Sequence, residues 1–156
     1  MATTTRREID DFLALKRIAF VGVSVNPKAL SRGLWHELEK RGYEVVPVTP
    51  KAAELDGTPC FARLQDVQPP VEGVLTITPP KVTEEVVKDC AELGIGHVWM
   101  YRGVGVGSVS PKAVDYCAAN GISVVAGQCP YMFLPHTPFF HGLHGLAKRV
   151  TGSYPK

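Results

Sequence analysis

Short apolar runs alternate along the chain with segments of helical hydrophobic spacing, and this alternation limits the possible folds more than any other feature. The apolar runs are 17–23, 43–48, 72–78, 97–101 and 122–126. The first is nearly continuous, as expected of a strand that is covered on both faces. Strands that alternate with helices are typical of βαβ units and a parallel sheet. We therefore predict an α/β fold with a single doubly wound sheet of five main strands and flanking helices.

Capping residues indicate where the predicted helices begin and end. Thr5 and Glu8 have the spacing of a capping box, so a short helix should precede the first strand. Gly42 and Gly94 each follow an amphipathic segment, at the position where a helix commonly ends. Ser110, with a proline directly after it, suits the start of a later helix. These signals divide the chain into successive strand–helix–strand units.

The expected strand order places the functional site. We expect the order 3-2-1-4-5 with right-handed crossovers, so that the winding reverses between strands one and four. Ligands of such sheets bind at the carboxyl ends of the strands at that point. The segments that reach this edge are 22–32, 49–51, 78–81 and 101–108. We expect binding residues in these four segments.

Composition excludes several other classes of protein. The chain has 156 residues, 45% of them hydrophobic and 21% charged, which predicts one domain, with a core over about 12–130 and a C-terminal extension over 131–156. A net charge of +2 disfavours binding to nucleic acid or to an anionic membrane. No apolar run approaches the length of about 20 residues needed to span a bilayer, and residues 1–11 lack a signal-peptide core. We expect a cytoplasmic protein.

The loop after the first strand is a candidate phosphate-binding loop. Gly22 allows a sharp turn, and Ser24 stands where G-x-G-x-x-G has its second glycine. The serine hydroxyl can itself donate to a phosphate oxygen, and the loop continues through Lys28 and Arg32 into a helix N-terminus, which favours anions. A plain strand-to-helix turn is the alternative interpretation, and it stays open.

The end of the second strand distinguishes between nucleotides. An NAD site normally presents an acidic residue there to the ribose 2′-hydroxyl, whereas this chain has Thr49, Pro50 and Lys51. A lysine suits a ribose that carries a phosphate, which is the 2′-phosphate of NADP or the 3′-phosphate of coenzyme A. NAD is therefore disfavoured. The alternative is that Lys51 is an ordinary exposed surface lysine.

The motifs together carry a family resemblance. They are Val21-Gly22-Val23-Ser24, Pro47-Val48-Thr49-Pro50-Lys51, Thr78-Pro79-Pro80, Met100-Tyr101-Arg102-Gly103 and Cys129-Pro130. From about residue 12 to 130 the chain resembles the small CoA-binding proteins, whose Rossmann-like domain also forms the N-terminal part of the succinyl-CoA synthetase α subunit. The resemblance implies that coenzyme A or an acyl-CoA is the ligand.

The same resemblance assigns roles to residues. It implies that residues 22–24 face the pyrophosphate of coenzyme A and that Lys51 faces the 3′-phosphate. It also implies that residues 78–79 and 100–102 line the path of the adenosine and pantetheine groups. The candidate binding residues are Gly22, Val23, Ser24, Lys28, Arg32, Thr49, Pro50, Lys51, Thr78, Pro79, Met100, Tyr101, Arg102 and Gly103.

Catalysis has weaker support than binding. No nucleophile stands at a recognisable spacing from an activating base, so we assign no catalytic residue and favour a binding or sensing protein. One alternative is an NADP-dependent oxidoreductase that uses the same loop and Lys51. Another is a redox regulator in which Cys129 forms a mixed disulfide with coenzyme A. The four cysteines show no C-x-x-C spacing and are predicted to be free thiols.

The end of the chain suggests an interface. His136, His141 and His144 are interleaved with aromatic and aliphatic residues, which favours an amphipathic segment packed on a neighbour over a zinc site. We therefore predict no metal site. An apolar cluster over 131–134 predicts a homodimer joined through Cys129 to Leu146.

Overall fold

Five parallel strands form one sheet in the computed structural model, which describes residues 4–102 and 107–133. Within those residues the chain runs α1(Arg6–Leu13), β1(Arg17–Val21), α2(Leu30–Lys40), β2(Glu44–Val48), β3(Glu54–Leu55), β4(Thr58–Pro59), a 3₁₀ turn (Leu64–Asp66), β5(Gly73–Thr76), α3(Pro80–Leu93), β6(His97–Tyr101), α4(Pro111–Ala119), β7(Ser123–Gln128) and a second 3₁₀ turn (Pro130–Met132). None of the described helices is long and apolar enough to cross a membrane.

Three predicted helix ends are confirmed. The Thr5 side chain accepts a hydrogen bond from the Glu8 backbone while the Glu8 side chain caps Thr5, so both halves of the capping box of α1 are present. Gly94 ends α3 in the left-handed conformation, with φ of 73°. Ser110 caps α4 by accepting a hydrogen bond from the Ala113 backbone N–H.

The α/β class and the doubly wound parallel sheet are confirmed, but the strand order differs from the expected 3-2-1-4-5. The observed order is β2-β1-β5-β6-β7, which is 2-1-3-4-5 in terms of the five main strands. The third main strand, β5, pairs directly with β1, so that Ile18 lies opposite Gly73 and Val21 opposite Thr76. The winding therefore reverses between β1 and β5, and not between strands one and four.

The connection between β2 and β5 accounts for this order. It contains no α-helix. Leu55, in its first part, belongs to the cluster that includes α2, whereas Leu64, Val67 and Val71, in its second part, belong to the same core cluster as buried residues of α3 and α4. Residues of α1 and α2 belong to the other cluster. Because parallel crossovers are right-handed, a connection over the α3–α4 face must lead in the same direction as the crossovers of those helices. The expected order assumed the opposite face.

Alternate residues of β1 contribute to the two cores. Ala19 and Val21 belong to the cluster that includes α3 and α4. Ile18 and Phe20, both fully buried, belong to the other cluster. A strand that is buried on both faces needs an almost continuous apolar run, which β1 has. The sheet in turn places the loops that follow β1, β2, β5 and β6 along one edge.

We expect Leu64→Ala to lower the free energy of unfolding by about 2–5 kcal/mol, the usual cost of truncating a buried leucine. Leu64 is 5% exposed, whereas Leu93, at the end of α3, is 42% exposed. Leu93→Ala is the matched control and should change the unfolding free energy by about 0.5 kcal/mol or less. Denaturant unfolding measures both values. If Leu64→Ala lowered the free energy of unfolding as little as Leu93→Ala, the connection would not be part of the core.

Candidate functional site

Gly22 makes the sharp turn at the carboxyl end of β1. Its φ is +95°, and its N–H donates to the Val48 carbonyl oxygen at 3.1 Å. A Cβ atom on Gly22 would lie 2.9 Å from Thr78 Cγ2 and 3.1 Å from backbone atoms of Ile77. Glycine is therefore needed both for the backbone conformation and because the loops after β1 and β5 touch at this point.

The rest of the loop after β1 is ordered by its own polar groups. The Ser24 N–H donates to Ser31 Oγ at 2.9 Å, and Ser24 Oγ accepts from the Asn26 N–H at 3.0 Å. Asn26 Oδ1 in turn accepts from the Lys28 N–H at 3.0 Å. Since the Ser24 hydroxyl acts as an acceptor in this contact, its proton is available to an outside acceptor. The loop leads into α2, whose N-terminus has no side-chain cap.

The segment after β2 presents a lysine to solvent. Thr49 is buried, its N–H donates to the Phe61 carbonyl at 2.8 Å, and its hydroxyl accepts from the Lys51 N–H at 3.2 Å. These bonds fix the backbone, while the Lys51 side chain is exposed. No carboxylate among residues 4–102 and 107–133 forms a salt bridge with Lys51. Its charge is thus open to a ligand anion.

A buried network of hydroxyl groups holds the β5 side of the edge. Ser108 Oγ lies 2.6 Å from Thr76 Oγ1 and 2.7 Å from Thr83 Oγ1, and Thr78 Oγ1 lies 2.7 Å from Thr83 Oγ1. All four residues are at most 6% exposed. The Thr78 hydroxyl therefore belongs to this network. Ser108 also donates its N–H to the Tyr101 carbonyl at 2.8 Å, so this residue is bonded both to the end of β6 and, through Thr83, to α3.

The end of β6 carries one aromatic and one cationic side chain, Tyr101 and Arg102. Burial raises the pKa of Tyr101 to about 12, with a smaller contribution from the neighbouring Cys129 thiol. Arg102 is exposed, and its N–H donates to the Gln128 carbonyl at 3.4 Å. Met100, by contrast, is fully buried in the core, so only its backbone reaches the edge.

The candidate residues thus fall into groups by exposure. Those exposed are Lys28, Pro50, Lys51, Pro79 and Arg102; those half-buried are Gly22, Ser24 and Tyr101; those buried are Val23, Arg32, Thr49, Thr78 and Met100. Gly103 lies outside the described residues. The exposed group has its three cations on three different loops of the same edge. That arrangement suits a ligand that carries several separated anionic groups.

The structure encloses Arg32 instead of leaving it open to the site. Its side chain is buried and donates to Asp56 Oδ2 at 2.5 Å and to the Val25 carbonyl at 3.1 Å. His36 also contacts Asp56, at 2.9 Å. Sequence reasoning missed Asp56, although Asp-Gly between two short strand-like runs is a recognised signal for a hairpin. It also missed Thr83 and Ser108, whose roles depend on contacts between distant segments.

The cysteines that the structure describes are free, as predicted. Burial raises the pKa of the Cys90 thiol and raises that of Cys117 to about 12. Both therefore serve as small core residues. Among the described residues no group of three or more histidine, cysteine or acidic residues could hold a metal. The cluster of His136, His141 and His144 lies outside them.

Residues 16–135 match the model of a protein family described as a CoA binding domain. An uncharacterized protein of Bacillus subtilis (strain 168), YneT, is 25% identical over 130 residues, which are 83% of this chain and 93% of that protein. The structure of a hypothetical protein from Pyrococcus horikoshii OT3 is similar with a TM-score of 0.73 and 27% identity, and the match covers 83% of this chain and 93% of that one.

An ADP-forming acetate–CoA ligase of Methanocaldococcus jannaschii is also similar. It is 22% identical over 118 residues, which are 73% of this chain but 17% of the ligase. The similarity is thus confined to a small part of that enzyme.

We expect Gly22→Ala to destabilise the protein by about 1–3 kcal/mol, the usual cost of a strained backbone conformation. The added methyl would meet Ile77 backbone atoms, which have little freedom to move. Gly33→Ala is the matched control, because Gly33 lies in α2 and its nearest contact would be Tyr131 Oη at 3.6 Å. The control should retain or slightly raise stability. Chemical unfolding compares them, and equal stabilities would contradict the close approach of the two loops.

Proposed function

We propose, because the chain belongs to the CoA-binding domain family, that it binds coenzyme A or an acyl-CoA at the carboxyl edge of its sheet. The observation that carries the proposal is the exposed cation of Lys51, which no described carboxylate neutralises, directly after β2. Gly22 follows the neighbouring strand, and its N–H bonds to Val48 at the end of β2. A phosphate-binding turn and a separate cation therefore lie side by side.

The exposure of each candidate group suggests which part of the ligand it contacts. Within the turn at 22–24 the Gly22 and Ser24 N–H groups donate to Val48 and Ser31, so the turn offers the Val23 N–H and the Ser24 hydroxyl to a pyrophosphate. Lys51 suits the ribose 3′-phosphate as a point charge. Lys28 adds a second cation on the first loop. These contacts would hold the nucleotide end of the ligand, which is common to coenzyme A and all its thioesters.

Residues that follow β5 and β6 would contact the rest of the ligand. Pro79 is exposed at the start of α3, and Tyr101 and Arg102 end β6. Thr78 and Met100 would contribute through their backbones, because their side chains are buried. We assign this side to the adenosine and pantetheine path.

A binding or sensing role without catalysis suits the site best. The described edge residues do not include a nucleophile next to an activating base, and the ligase to which this chain is similar is about six times longer than the matched part. We therefore propose that this chain supplies ligand binding alone. Three further expectations stay predictions: a homodimer through 129–146, a C-terminal extension over 131–156 and a cytoplasmic location. Most of the predicted dimer segment lies outside the described residues.

A thermal-shift comparison of coenzyme A, acetyl-CoA, NADP and NAD tests the proposal. A ligand at 100 times its dissociation constant adds about 2.7 kcal/mol to stability, which raises the unfolding temperature of a domain of this size by about 5–10 °C. We expect this shift with coenzyme A and acetyl-CoA. A shift with NADP alone would favour the oxidoreductase alternative, and no shift with any of the four would contradict the proposal.

Lys51→Ala should weaken coenzyme A binding and leave the binding of dephospho-CoA, which lacks the 3′-phosphate, almost unchanged. A hydrogen bond to a charged group contributes about 1.5–3 kcal/mol, so we expect a loss of roughly 10- to 100-fold for coenzyme A. Titration calorimetry at one salt concentration measures both constants. Lys40→Ala is the control for net charge, because Lys40 is the last residue of α2 and the loop after β1 leads into the other end of that helix. Equal losses for both ligands would show that Lys51 does not meet the 3′-phosphate.

A further inference from the structure

A tight hairpin turn brings a carboxylate against α2. Asp56 and Gly57 connect β3 to β4 and have φ values of 51° and 77°. Positive φ at both central residues defines a type I′ turn, for which Asp-Gly is a favoured sequence. From this turn Asp56 Oδ2 accepts hydrogen bonds from Arg32 Nη2 at 2.5 Å and from His36 Nε2 at 2.9 Å. The hairpin after β2 is thereby tied to the helix after β1.

Arg32 extends this link to the ligand loop. Its side chain is 4% exposed and its guanidinium carbon lies 5.7 Å from the centre of the Trp35 ring. The Nη1 group donates to the Ser24 carbonyl at 3.3 Å and to the Val25 carbonyl at 3.1 Å. A single buried guanidinium thus joins the Asp56 carboxylate to two consecutive carbonyl groups of the loop that follows Gly22.

The charge of Asp56 needs an explanation, because the edge around it is proposed to bind anions. Hydrogen bonds from Arg32, and then from His36, hold the pKa of Asp56 below its usual value. The carboxylate is therefore ionised at neutral pH, and it neutralises a cation that burial would otherwise make costly. An ionised carboxylate close to an anion site weakens binding by repulsion unless it contributes in another way.

The orientation of the loop carbonyls supplies that contribution. A carbonyl oxygen is a negative dipole end and repels phosphate. Because the peptide group is planar and trans, holding the Ser24 carbonyl on Arg32 points the Val25 N–H to the opposite side. One residue later the same geometry orients the Asn26 N–H, which donates to Ser24 Oγ at 3.0 Å. Arg32 thus keeps two carbonyl groups away from a ligand and leaves the Val25 N–H on the other side of the loop.

We propose that Asp56 is a positioning residue for the ligand loop, acting through Arg32 to hold the Ser24 and Val25 carbonyls away from the bound phosphates. The inference rests on the proposed function, since it takes the anionic ligand to be coenzyme A. It also reassigns Arg32, which the sequence placed among the residues that face the ligand: Arg32 holds the loop that does so.

Asp56→Asn separates positioning from simple electrostatics. Asparagine suits the same turn position, so the hairpin should be kept, but the charge that holds Arg32 is lost. Removing a negative charge near an anion site strengthens binding if charge alone matters. Loss of positioning weakens it. We expect the dissociation constant for coenzyme A, measured by calorimetry at one salt concentration, to rise about tenfold.

Glu39→Gln is the matched control. The Glu39 side chain is 42% exposed, against 48% for Asp56, and its carboxylate lies 3.7 Å from the ring of the same histidine, His36. Within the described part of the chain, the salt bridge of Arg32 is with Asp56 and not with Glu39. Glu39→Gln removes one negative charge from the same region but keeps the ion pair between Asp56 and Arg32. We expect its affinity for coenzyme A to stay within about twofold of the wild type. A loss equal to that of Asp56→Asn would overturn the proposal, as would unchanged or tighter binding by Asp56→Asn.

A second measurement needs no ligand. We expect backbone amide hydrogen exchange over residues 24–28 to be faster in Asp56→Asn than in the wild type or Glu39→Gln, because the loop loses its anchor. If the wild type does not bind coenzyme A, the proposed function fails, and this exchange still decides whether Asp56 positions the loop. Unchanged exchange would overturn the positioning role.

Arg32→Lys provides an independent variant should Asp56→Asn fold poorly. A lysine has no planar fork and so does not bridge two carbonyls and a carboxylate together. We expect Arg32→Lys to lose a similar amount of affinity for coenzyme A. The double variant Asp56→Asn/Arg32→Lys should lose no more affinity than either single variant, because both substitutions break the same link. Additive losses would mean that the two residues act separately and would overturn the proposal.

Discussion

The close contact between the loops after β1 and β5 is the constraint on which the rest of the edge depends. A Cβ atom on Gly22 would lie too close to the backbone of Ile77 and to the side chain of Thr78. Gly22 also has a φ of +95°, which other residues rarely adopt. This contact exists because β1 and β5 are neighbours where the winding reverses. It brings the glycine turn, the start of α3 and the end of β2 together at the carboxyl edge of the sheet.

Two different kinds of interaction hold the two sides of this edge. On the β1–β2 side, the ion pair between Arg32 and Asp56 ties the first loop to a hairpin. On the β5–β6 side, neutral hydroxyl groups centred on Ser108 join α3 to the segment that precedes α4. The hydroxyl network carries no net charge. Of the three exposed candidate cations, Lys28 and Lys51 lie on the β1–β2 side and Arg102 lies on the β5–β6 side.

The segments that form the site could be predicted, but the part played by each side chain could not. Residues after parallel strands meet at the carboxyl edge of the sheet, so strand position alone predicts that Ser24 and Lys51 lie at this edge. Their contacts with a ligand stay predictions. Whether a side chain at the edge faces solvent depends on packing from distant segments. Arg32 is enclosed by a hairpin that lies 24 residues further along the chain, and Thr78 is enclosed by Ser108. Neither partner is visible in local spacing.

Local pattern determined the elements of this protein, and tertiary packing determined their order. Strand and helix identities follow from apolar periodicity and capping residues such as Ser110, which act over a few neighbouring positions. The strand order depends on which face of the sheet the helix-free connection covers. Leu64, Val67 and Val71 are apolar and would suit either face. Only burial against α3 and α4 selects one of them, and the right-handed crossover then places β5 beside β1.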